Sequence, residues 1–387
     1  MEKIIAYIGN WGMSKEPVPL GLSAAAYDPS TGSMDILQQC FPQIKAGAIC
    51  PDHRRNILYC VDERPEVPGR TLGGQVFGLK IDPATGLLQE HTVSPSFGPM
   101  PSDCALDLAG SYLLVSNHSG RSSITKTVQD PDGRYRIIRE YDETAVVLFP
   151  LDPEGRIGEP CHIVRHTGHG ILPNQQSPHA HCVRRAPDMD LFIVCDKGND
   201  SVYSYRIDRE KRQLICCDRI DGLPGSSPRY CVFHPSKPYI YYNNETSPVV
   251  CQLSYDSGGK LTPVSTIRCM EAGDPEPKGM QSDLRISADG KYLYTLVRDN
   301  STIVVYSLNE ESGKPEYLQT VPCGSTKGGR WLSFSPDGKY LFLAACPDRQ
   351  VHKFIVGSDG TLTYQGVAAE DKVPAVITFM TIETEES

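Results

Sequence analysis

SDLRISADGKYLYTLVRDNSTIVVYSL (282–308) and RWLSFSPDGKYLFLAACPDRQVHKFIV (330–356) follow one pattern. Each stretch begins with a short strand, turns at Asp-Gly, and continues with an aromatic and aliphatic strand followed by a third strand. Earlier copies begin at Arg229 and His179, and a fourth strand such as KLTPVSTI often follows. Almost no stretch has helical periodicity. Four short strands that recur with a period of about 50 residues predict an all-β propeller.

Six copies of the pattern and one further unit together predict seven blades. The copies begin near residues 46, 102, 179, 229, 282 and 330. A further unit holds the strands IIAYIG (4–9), GLSAAAYD (21–28) and MDILQQ (34–39), and PAVITFMTI (374–382) supplies its missing strand. Pairing of 374–382 with 4–9 would join the two ends of the chain and remove an open sheet edge.

We therefore predict a seven-bladed β-propeller of four-stranded blades, with residues 1–387 as a single domain. A β-sandwich is the alternative, and the recurrence of the blade pattern disfavours it. The interval between the copies at 102 and 179 is too long for one blade. We expect an insertion at about 119–144, which is polar and suits a long loop or hairpin over one face.

Composition excludes several classes of protein. Hydrophobic residues make up 39% and charged residues 22% of the chain, as in ordinary globular proteins. The net charge of −9 argues against a nucleic-acid surface, which needs a basic face. No stretch is long and apolar enough for a transmembrane helix, and the N-terminus does not resemble a signal peptide, so we expect a cytoplasmic protein without a membrane partner.

The 14 cysteines lack the spacing of a metal motif. There is no CxxC, and many cysteines lie within apolar strands, as in ILYCVDE and FIVCDKG. Cysteine in such a position behaves as a small buried hydrophobe. We expect reduced, mostly buried cysteines and no zinc site.

Polar residues gather where the first strands begin and the second strands end, which is the mouth of a propeller channel. These positions, with one preceding glutamine, are Gln176, His179, His181, Arg229, Glu245, Asp283, Arg285, Arg298 and Arg330. Several cations with a carboxylate at one mouth suit recognition of an anion and proton transfer. We predict that His181, Arg229 and Glu245 converge on one pocket, which Arg285, Arg298 and Arg330 also line.

Each of these residues also has a structural interpretation. His181 could be a hydrogen-bonded core histidine, and Arg229 and Arg330 could tie loops together through backbone carbonyls. Glu245 could simply pair with one arginine. Trp331 could wall the pocket or pack between blades. The recurrence of polar residues at equivalent places in successive blades favours the functional interpretation.

The motifs PHAH (178–181), SPRYCVFHP (227–235), NNE (243–245) and SDLRISADGKYLY (282–294) resemble the lactonase family of seven-bladed propellers. That family includes bacterial 6-phosphogluconolactonases of this fold and the fungal 3-carboxy-cis,cis-muconate lactonizing enzyme. The resemblance spans nearly the whole chain and is strongest from 178 to 345. It implies a propeller enzyme that needs no metal or other cofactor.

By motif, the resemblance implies that His181 is the catalytic histidine, with Arg229 and Glu245 beside it. It also matches Arg298 and Arg330 to family arginines. The chain departs from the family pattern at four places around the expected mouth: Asn10-Trp11, Tyr230, Arg285 and Gly329. The resemblance therefore does not name one substrate.

Three functions remain open from the sequence. The first is a hydrolase that opens a small, anionic, sugar-type or carboxylated lactone, with Glu245 or His181 activating water. The residues Gln176, His179, Asp283, Arg285, Arg298 and Arg330 would bind the substrate. The second is a cycloisomerase or lyase that uses the same groups, and the third is a ligand-binding propeller without catalysis. The expected partner is a small anionic lactone or hydroxy acid, and the chain is expected to be a monomer or weak homo-oligomer.

Overall fold

Strands make up nearly all the regular structure of this chain. The computed structural model describes residues 2–12, 20–67, 69, 72–118, 122–269, 280–326 and 328–383. In these ranges the one helical segment is a 3₁₀ turn at Cys346–Asp348, and no helix could cross a membrane. Seven four-stranded antiparallel sheets form the blades of a propeller. The predicted fold class is confirmed.

Blades one and three include strands that are not consecutive in the sequence, whereas blade two uses four consecutive strands. The first blade holds β1 (Glu2–Asn10), β2 (Leu22–Asp28), β3 (Ser33–Cys40) and the last strand β30 (Pro374–Glu383). The second holds β4 (Ala46–Asp52), β5 (Ile57–Asp62), β6 (Gln75–Ile81) and β7 (Leu88–Pro95). The third holds β8 (Pro101–Leu106), β9 (Tyr112–Asn117), β12 (Ala145–Pro150) and β13 (His162–Arg165).

The remaining four blades each use four consecutive strands. Blade four holds β14 (Ala180–Arg185), β15 (Leu191–Asp196), β16 (Ser201–Asp208) and β17 (Gln213–Asp221). Blade five holds β18 (Pro228–Phe233), β19 (Tyr239–Asn244), β20 (Val249–Tyr255) and β21 (Leu261–Arg268). Blade six holds β22 (Gln281–Ile286), β23 (Tyr292–Val297), β24 (Thr302–Leu308) and β25 (Pro315–Pro322). Blade seven holds β26 (Trp331–Phe334), β27 (Tyr340–Ala345), β28 (Gln350–Val356) and β29 (Leu362–Glu370).

The C-terminal strand closes the propeller as predicted. β30 pairs antiparallel with β1, and the register places Met380 opposite Ile5 and Ile377 opposite Ile8. All four side chains are almost fully buried, so the closing blade is part of the apolar core. Each inner strand contacts the next around the ring, from β30 through β4, β8, β14, β18, β22 and β26 back to β30. The inner strands therefore surround one channel.

The predicted insertion contains a hairpin. β10 (Ser123–Gln129) pairs with β11 (Tyr135–Tyr141) between β9 and β12, apart from the four-stranded sheets. Residues 119–121 of the predicted insertion lie outside the described residues. The turn residues of the hairpin are polar and exposed, which agrees with the polar character on which the prediction rested.

The recurrent Asp-Gly turns have a local physical cause. Gly290 has a φ of +73°, a conformation that glycine adopts without steric cost. The carboxylate of Asp289 accepts a hydrogen bond from the backbone N–H of Lys291 at 3.1 Å. A Cβ at position 290 would also lie 2.6 Å from the ring of His234 in blade five. This close approach couples the turn to the neighbouring blade.

Candidate active site

The register between inner and second strands defines the channel mouth. Ala180 at the start of β14 lies opposite Asp196 at the end of β15, and Pro228 of β18 lies opposite Asn244 of β19. The residue that directly follows a second strand therefore lies at the mouth of the channel. Around the seven blades these residues are Trp11, Glu63, His118, Lys197, Glu245, Arg298 and Cys346.

Glu245 is held between two cations. Its Oε2 accepts hydrogen bonds from Nε of Arg229 at 2.8 Å and from Nζ of Lys197 at 2.7 Å. Burial opposes ionisation of Glu245, but the charges of Lys197, Arg229 and Arg298 outweigh it and hold the pKa well below 4.5. Glu245 is therefore a carboxylate at neutral pH and a weak base.

His181 lies beside this ion pair as a neutral imidazole. It is buried, and its ring meets those of Tyr230 and His118 edge-on at centroid distances of 4.9 Å and 5.1 Å. Burial and the charges of Arg229 and Lys197 place its pKa well below 6.5. Its Nδ1 has no hydrogen-bond partner among the described residues. A neutral imidazole with an unused nitrogen can accept a proton.

A cavity of about 300 Å³ opens beside Glu245 and Lys197. His179 and Gln176, both predicted to bind substrate, line its wall. Nδ1 of His179 donates a hydrogen bond to the backbone carbonyl of His118 at 2.7 Å, and burial lowers its pKa. The cavity thus combines charged groups at one end with neutral hydrogen-bonding groups along the wall.

The hairpin of β10 and β11 forms another wall of this cavity. Ser123, Arg139 and Tyr141 belong to the lining. The hydroxyl of Tyr141 donates a hydrogen bond to the side-chain carbonyl of Gln176. This contact places the hairpin over the mouth, on the face that carries Glu245.

Arg298 and Arg330 extend the cationic character across the mouth. Nε of Arg298 has no hydrogen-bond partner among the described residues, and burial and the charge of Arg229 lower the pKa of this side chain. Arg330 donates a hydrogen bond to Oε2 of Glu63 at 2.5 Å and lies over Trp11, 4.3 Å from the ring centroid. Nη1 of Arg330 also has no hydrogen-bond partner among the described residues, so both arginines keep a donor that an anion could engage.

Two aromatic rings divide the channel below these groups. Tyr230 and Trp331 meet edge-on with their centroids 5.5 Å apart, and both are buried. Arg229 lies 4.9 Å from the Tyr230 ring, while Arg285 lies 4.3 Å from the Trp331 ring. Arg184 approaches both rings. We call Tyr230 and Trp331 the aromatic layer.

The structure does not bring the predicted set into one pocket. Of His181, Arg229, Glu245, Arg285, Arg298 and Arg330, only Glu245 lines the cavity of about 300 Å³ at the mouth. Arg285 lines a different cavity of about 410 Å³, together with Arg184, Trp331 and residues at the far ends of β4 and β8. The reason is its depth: Arg285 lies near the end of the inner strand β22, whereas the mouth lies at the starts of the inner strands. Its Nη1 lies 2.9 Å from Oδ1 of Asp283, the other residue that we expected at the mouth.

Asp283 binds backbone in the next blade. Its Oδ2 accepts a hydrogen bond from the N–H of Leu332 at 2.6 Å. Asp103, in the equivalent Ser-Asp pair of blade three, accepts one from the N–H of Val183 at 3.0 Å and also pairs with Arg184. The repeated contact indicates that both carboxylates tie adjacent inner strands together.

Sequence reasoning missed Lys197, Glu63 and His118. All three directly follow a second strand, which is the position that identified Glu245 and Arg298. Lys197 in FIVCDKGND could have been found by applying that rule to every blade. Arg139 carried no such signal, because only the folded hairpin brings it to the cavity.

Comparisons with known proteins agree with this architecture. A family described as "Lactonase, 7-bladed beta-propeller" matches residues 13–379. The chain is 25% identical to the 6-phosphogluconolactonase of Bacillus subtilis over 77% of this chain and 75% of that protein. It is 25% identical to the 6-phosphogluconolactonase of Formosa agariphila over 70% of this chain and 71% of that protein.

Solved structures reproduce the fold over nearly the full length. The periplasmic gluconolactonase PpgL of Pseudomonas aeruginosa superposes with a TM-score of 0.84, covering 99% of this chain and 100% of that chain at 22% identity. A Bacteroides fragilis structure titled a putative 6-phosphogluconolactonase superposes with a TM-score of 0.80, covering 98% of each chain at 19% identity. At these identities the likeness establishes the fold.

Proposed function

The chain belongs to the seven-bladed β-propeller lactonase family, and from this premise we propose that it hydrolyses a small anionic lactone. Two relatives named 6-phosphogluconolactonase and a structural neighbour named gluconolactonase support this class of reaction. The observation that carries the proposal is the placing of neutral His181 beside Glu245, Lys197 and Arg229 at a mouth where cations predominate.

An anionic substrate suits this excess of positive charge. Lys197 and Arg229 share the single carboxylate of Glu245, and Nε of Arg298 has no partner among the described residues. A carboxylate or phosphate would neutralise the excess and engage the fork of a guanidinium. The bound anion would also raise the basicity of His181, because the cations that depress its pKa would then be screened.

Hydrolysis follows from these groups in two steps. His181 accepts a proton from water as the oxygen attacks the lactone carbonyl, and the carbonyl oxygen becomes an oxyanion. Lys197 and Arg229 stabilise that charge. When the tetrahedral intermediate collapses, the ring C–O bond breaks and protonated His181 returns the proton to the departing oxygen. The product is the hydroxy acid.

Glu245 positions the cations in this scheme. A general base works best when its pKa lies near the working pH, and the pKa of Glu245 is held well below 4.5. His181 is the better candidate because a bound anion would screen the cations that help to lower its pKa, whereas Glu245 is held ionised by direct contact with Lys197 and Arg229. Glu245 keeps Lys197 and Arg229 close together and oriented toward the reacting carbonyl.

The first experiment identifies a substrate. Sugar lactones, phosphorylated sugar lactones, carboxylated lactones and aryl lactones are offered in turn, and acid release is followed with a pH-stat. We expect turnover of anionic lactones above the uncatalysed rate. Silence across the whole panel would contradict the proposal and favour a cycloisomerase or a binding protein.

Two substitutions then test the roles. His181→Asn should lower kcat by at least about a hundredfold, since it removes the proton acceptor. Glu245→Gln keeps the shape of the side chain and removes the charge that holds Lys197 and Arg229 in position, so substrate binding should persist while kcat falls by about two orders of magnitude.

His53→Asn is the matched control, because His53 is exposed at the far end of the channel. Wild-type turnover by Glu245→Gln would remove Glu245 from the mechanism and leave His181 alone. Wild-type turnover by His181→Asn would exclude His181 as the base.

A further inference from the structure

Three cysteines meet between blades four and five. Cys182 on β14 is the register partner of Cys195 on β15, and Cys231 lies on β18, the inner strand of the next blade. All three are fully buried. We call Cys182, Cys195 and Cys231 the thiol cluster. Strand pairing and blade packing assemble it from distant parts of the chain.

The sulfur atoms have the spacing of a metal site. Sγ of Cys182 lies 4.0 Å from Sγ of Cys231, and all three sulfurs lie within 4.8 Å of one another. Three sulfurs in a plane, each about 2.3 Å from a central ion, would be about 4.0 Å apart. Among the described residues, no other group of three His, Cys, Asp or Glu side chains comes this close.

We propose that the thiol cluster binds one thiophilic monovalent metal ion, with Cu⁺ as the best fit, in three-coordinate sulfur ligation. The site is separate from the channel mouth and independent of the lactonase proposal. Thiolate ligands select soft ions, of which Cu⁺ is one. Zn²⁺ prefers four ligands in structural sites, and the described residues supply three here.

Binding of the ion requires the thiols of the cluster to lose their protons, because thiolate is the form of cysteine that ligates a metal. These protons leave to solvent as the metal–sulfur bonds form.

A copper titration tests the site. The reduced chain is expressed in copper-supplemented medium, purified without oxygen, and then exchanged against a bicinchoninate-buffered series of Cu⁺ concentrations. We expect one equivalent of copper by elemental analysis and three sulfur neighbours at about 2.3 Å by X-ray absorption. Binding should raise the midpoint of thermal unfolding, because the ion binds only the folded chain.

Matched variants separate this site from other thiols. Cys231→Ser and, independently, Cys182→Ser should lose the bound copper and the shift in the unfolding midpoint. The double variant Cys216→Ser/Cys217→Ser should retain both, because those cysteines lie outside the cluster on β17. Failure of the wild-type chain to hold copper, or full retention of copper by folded Cys231→Ser and Cys182→Ser, would overturn the proposal. The absorption measurement on the wild-type chain decides the question if both serine variants fail to fold.

Discussion

At the channel mouth Arg229 and Lys197 share one carboxylate oxygen of Glu245, whereas below the aromatic layer Arg184 and Arg285 each have a separate carboxylate partner. Arg184 pairs with Asp103, and Arg285 pairs with Asp283. The two ends use the same residue types with different charge balance. An arginine that is paired with its own carboxylate is already neutralised and attracts an anion only weakly. Two cations that share one carboxylate keep a net positive charge, which a bound anion would neutralise.

The balanced end also bonds to backbone. Asp103 and Asp283 each accept a hydrogen bond from an N–H of the following inner strand, and Nε of Arg285 donates to the carbonyl of Leu332 at 2.8 Å. These contacts link adjacent blades around the channel. We therefore expect the far end to contribute mainly to stability and the mouth to the proposed chemistry, and substitutions at matched arginines can separate the two.

The largest effect is expected from Arg229→Ala. In the proposed mechanism it removes a cation that stabilises the oxyanion, and it leaves Glu245 with Lys197 alone, so kcat/KM on the identified lactone should fall by about a thousandfold. Arg229→Lys keeps the charge without the fork and should recover part of that loss.

Arg285→Met is the matched control, and its turnover should stay within about twofold of wild type. Circular dichroism checks that all three variants are folded. Comparable losses of turnover at Arg229 and Arg285 would remove the distinction between the two ends.

The next effect concerns stability. Arg285→Met leaves the buried carboxylate of Asp283 without its cation, which should lower the free energy of unfolding by about 4 kcal/mol. The double variant Arg285→Met/Asp283→Asn removes both charges and should recover a large part of that loss. Urea unfolding measures all three chains. A single variant as stable as wild type would show that this pair contributes nothing to the fold.

The pH dependence of stability should have opposite signs at the two ends. Burial raises the pKa of Asp103 from 3.8 to about 6 despite Arg184, so the folded chain binds this proton more tightly than the unfolded chain. The contribution of Asp103 to stability is therefore present at low pH and declines as the pH rises from about 4 to 6, by up to about 3 kcal/mol. Glu245, with its lowered pKa, contributes stability that is present above pH 4.5 and lost as the pH falls.

Urea unfolding at a series of pH values measures both contributions. The difference between wild type and Asp103→Asn should decline from pH 4 to 6, and the difference between wild type and Glu245→Gln should decrease below pH 4.5. A flat difference for Asp103→Asn across this range would contradict the assignment.

Repetition made the fold predictable. Asp289-Gly290 and Asp337-Gly338 mark the same turn in consecutive blades, and that period fixed the number of blades. The closing strand could be predicted by counting strands. One blade had only three strands, and the strand at 374–382 belonged to no other blade. These inferences depend on local patterns, which a sequence displays directly.

Only part of the site could be predicted. The depth of a residue along the channel and its contacts with other blades depend on the folded chain and not on the neighbouring sequence. Glu245 and Arg298 were predicted because they directly follow a second strand. The same rule applied to every blade would also have identified Lys197. Arg285 was misplaced because its distance along β22 carries it beyond the aromatic layer. The thiol cluster has no sequence signature, since its members come from three strands in two blades.

The smallest effect is expected from the hairpin of β10 and β11, which covers one end of the channel. Arg139 on β11 lines the cavity and is exposed, so its charge attracts an anionic substrate through solvent and adds little in the transition state. Arg139→Ala should raise KM by about fivefold and leave kcat unchanged, and added salt should reduce the difference.

Arg136→Ala is the matched control. Arg136 lies on the same strand but faces the other side of the hairpin, where it pairs with Asp130 at 2.7 Å. Its KM should equal that of wild type. If both variants raise KM equally, the hairpin acts through its overall charge rather than through the cavity wall. If neither does, the hairpin covers the mouth without contacting substrate, and the cations of the blades alone attract it.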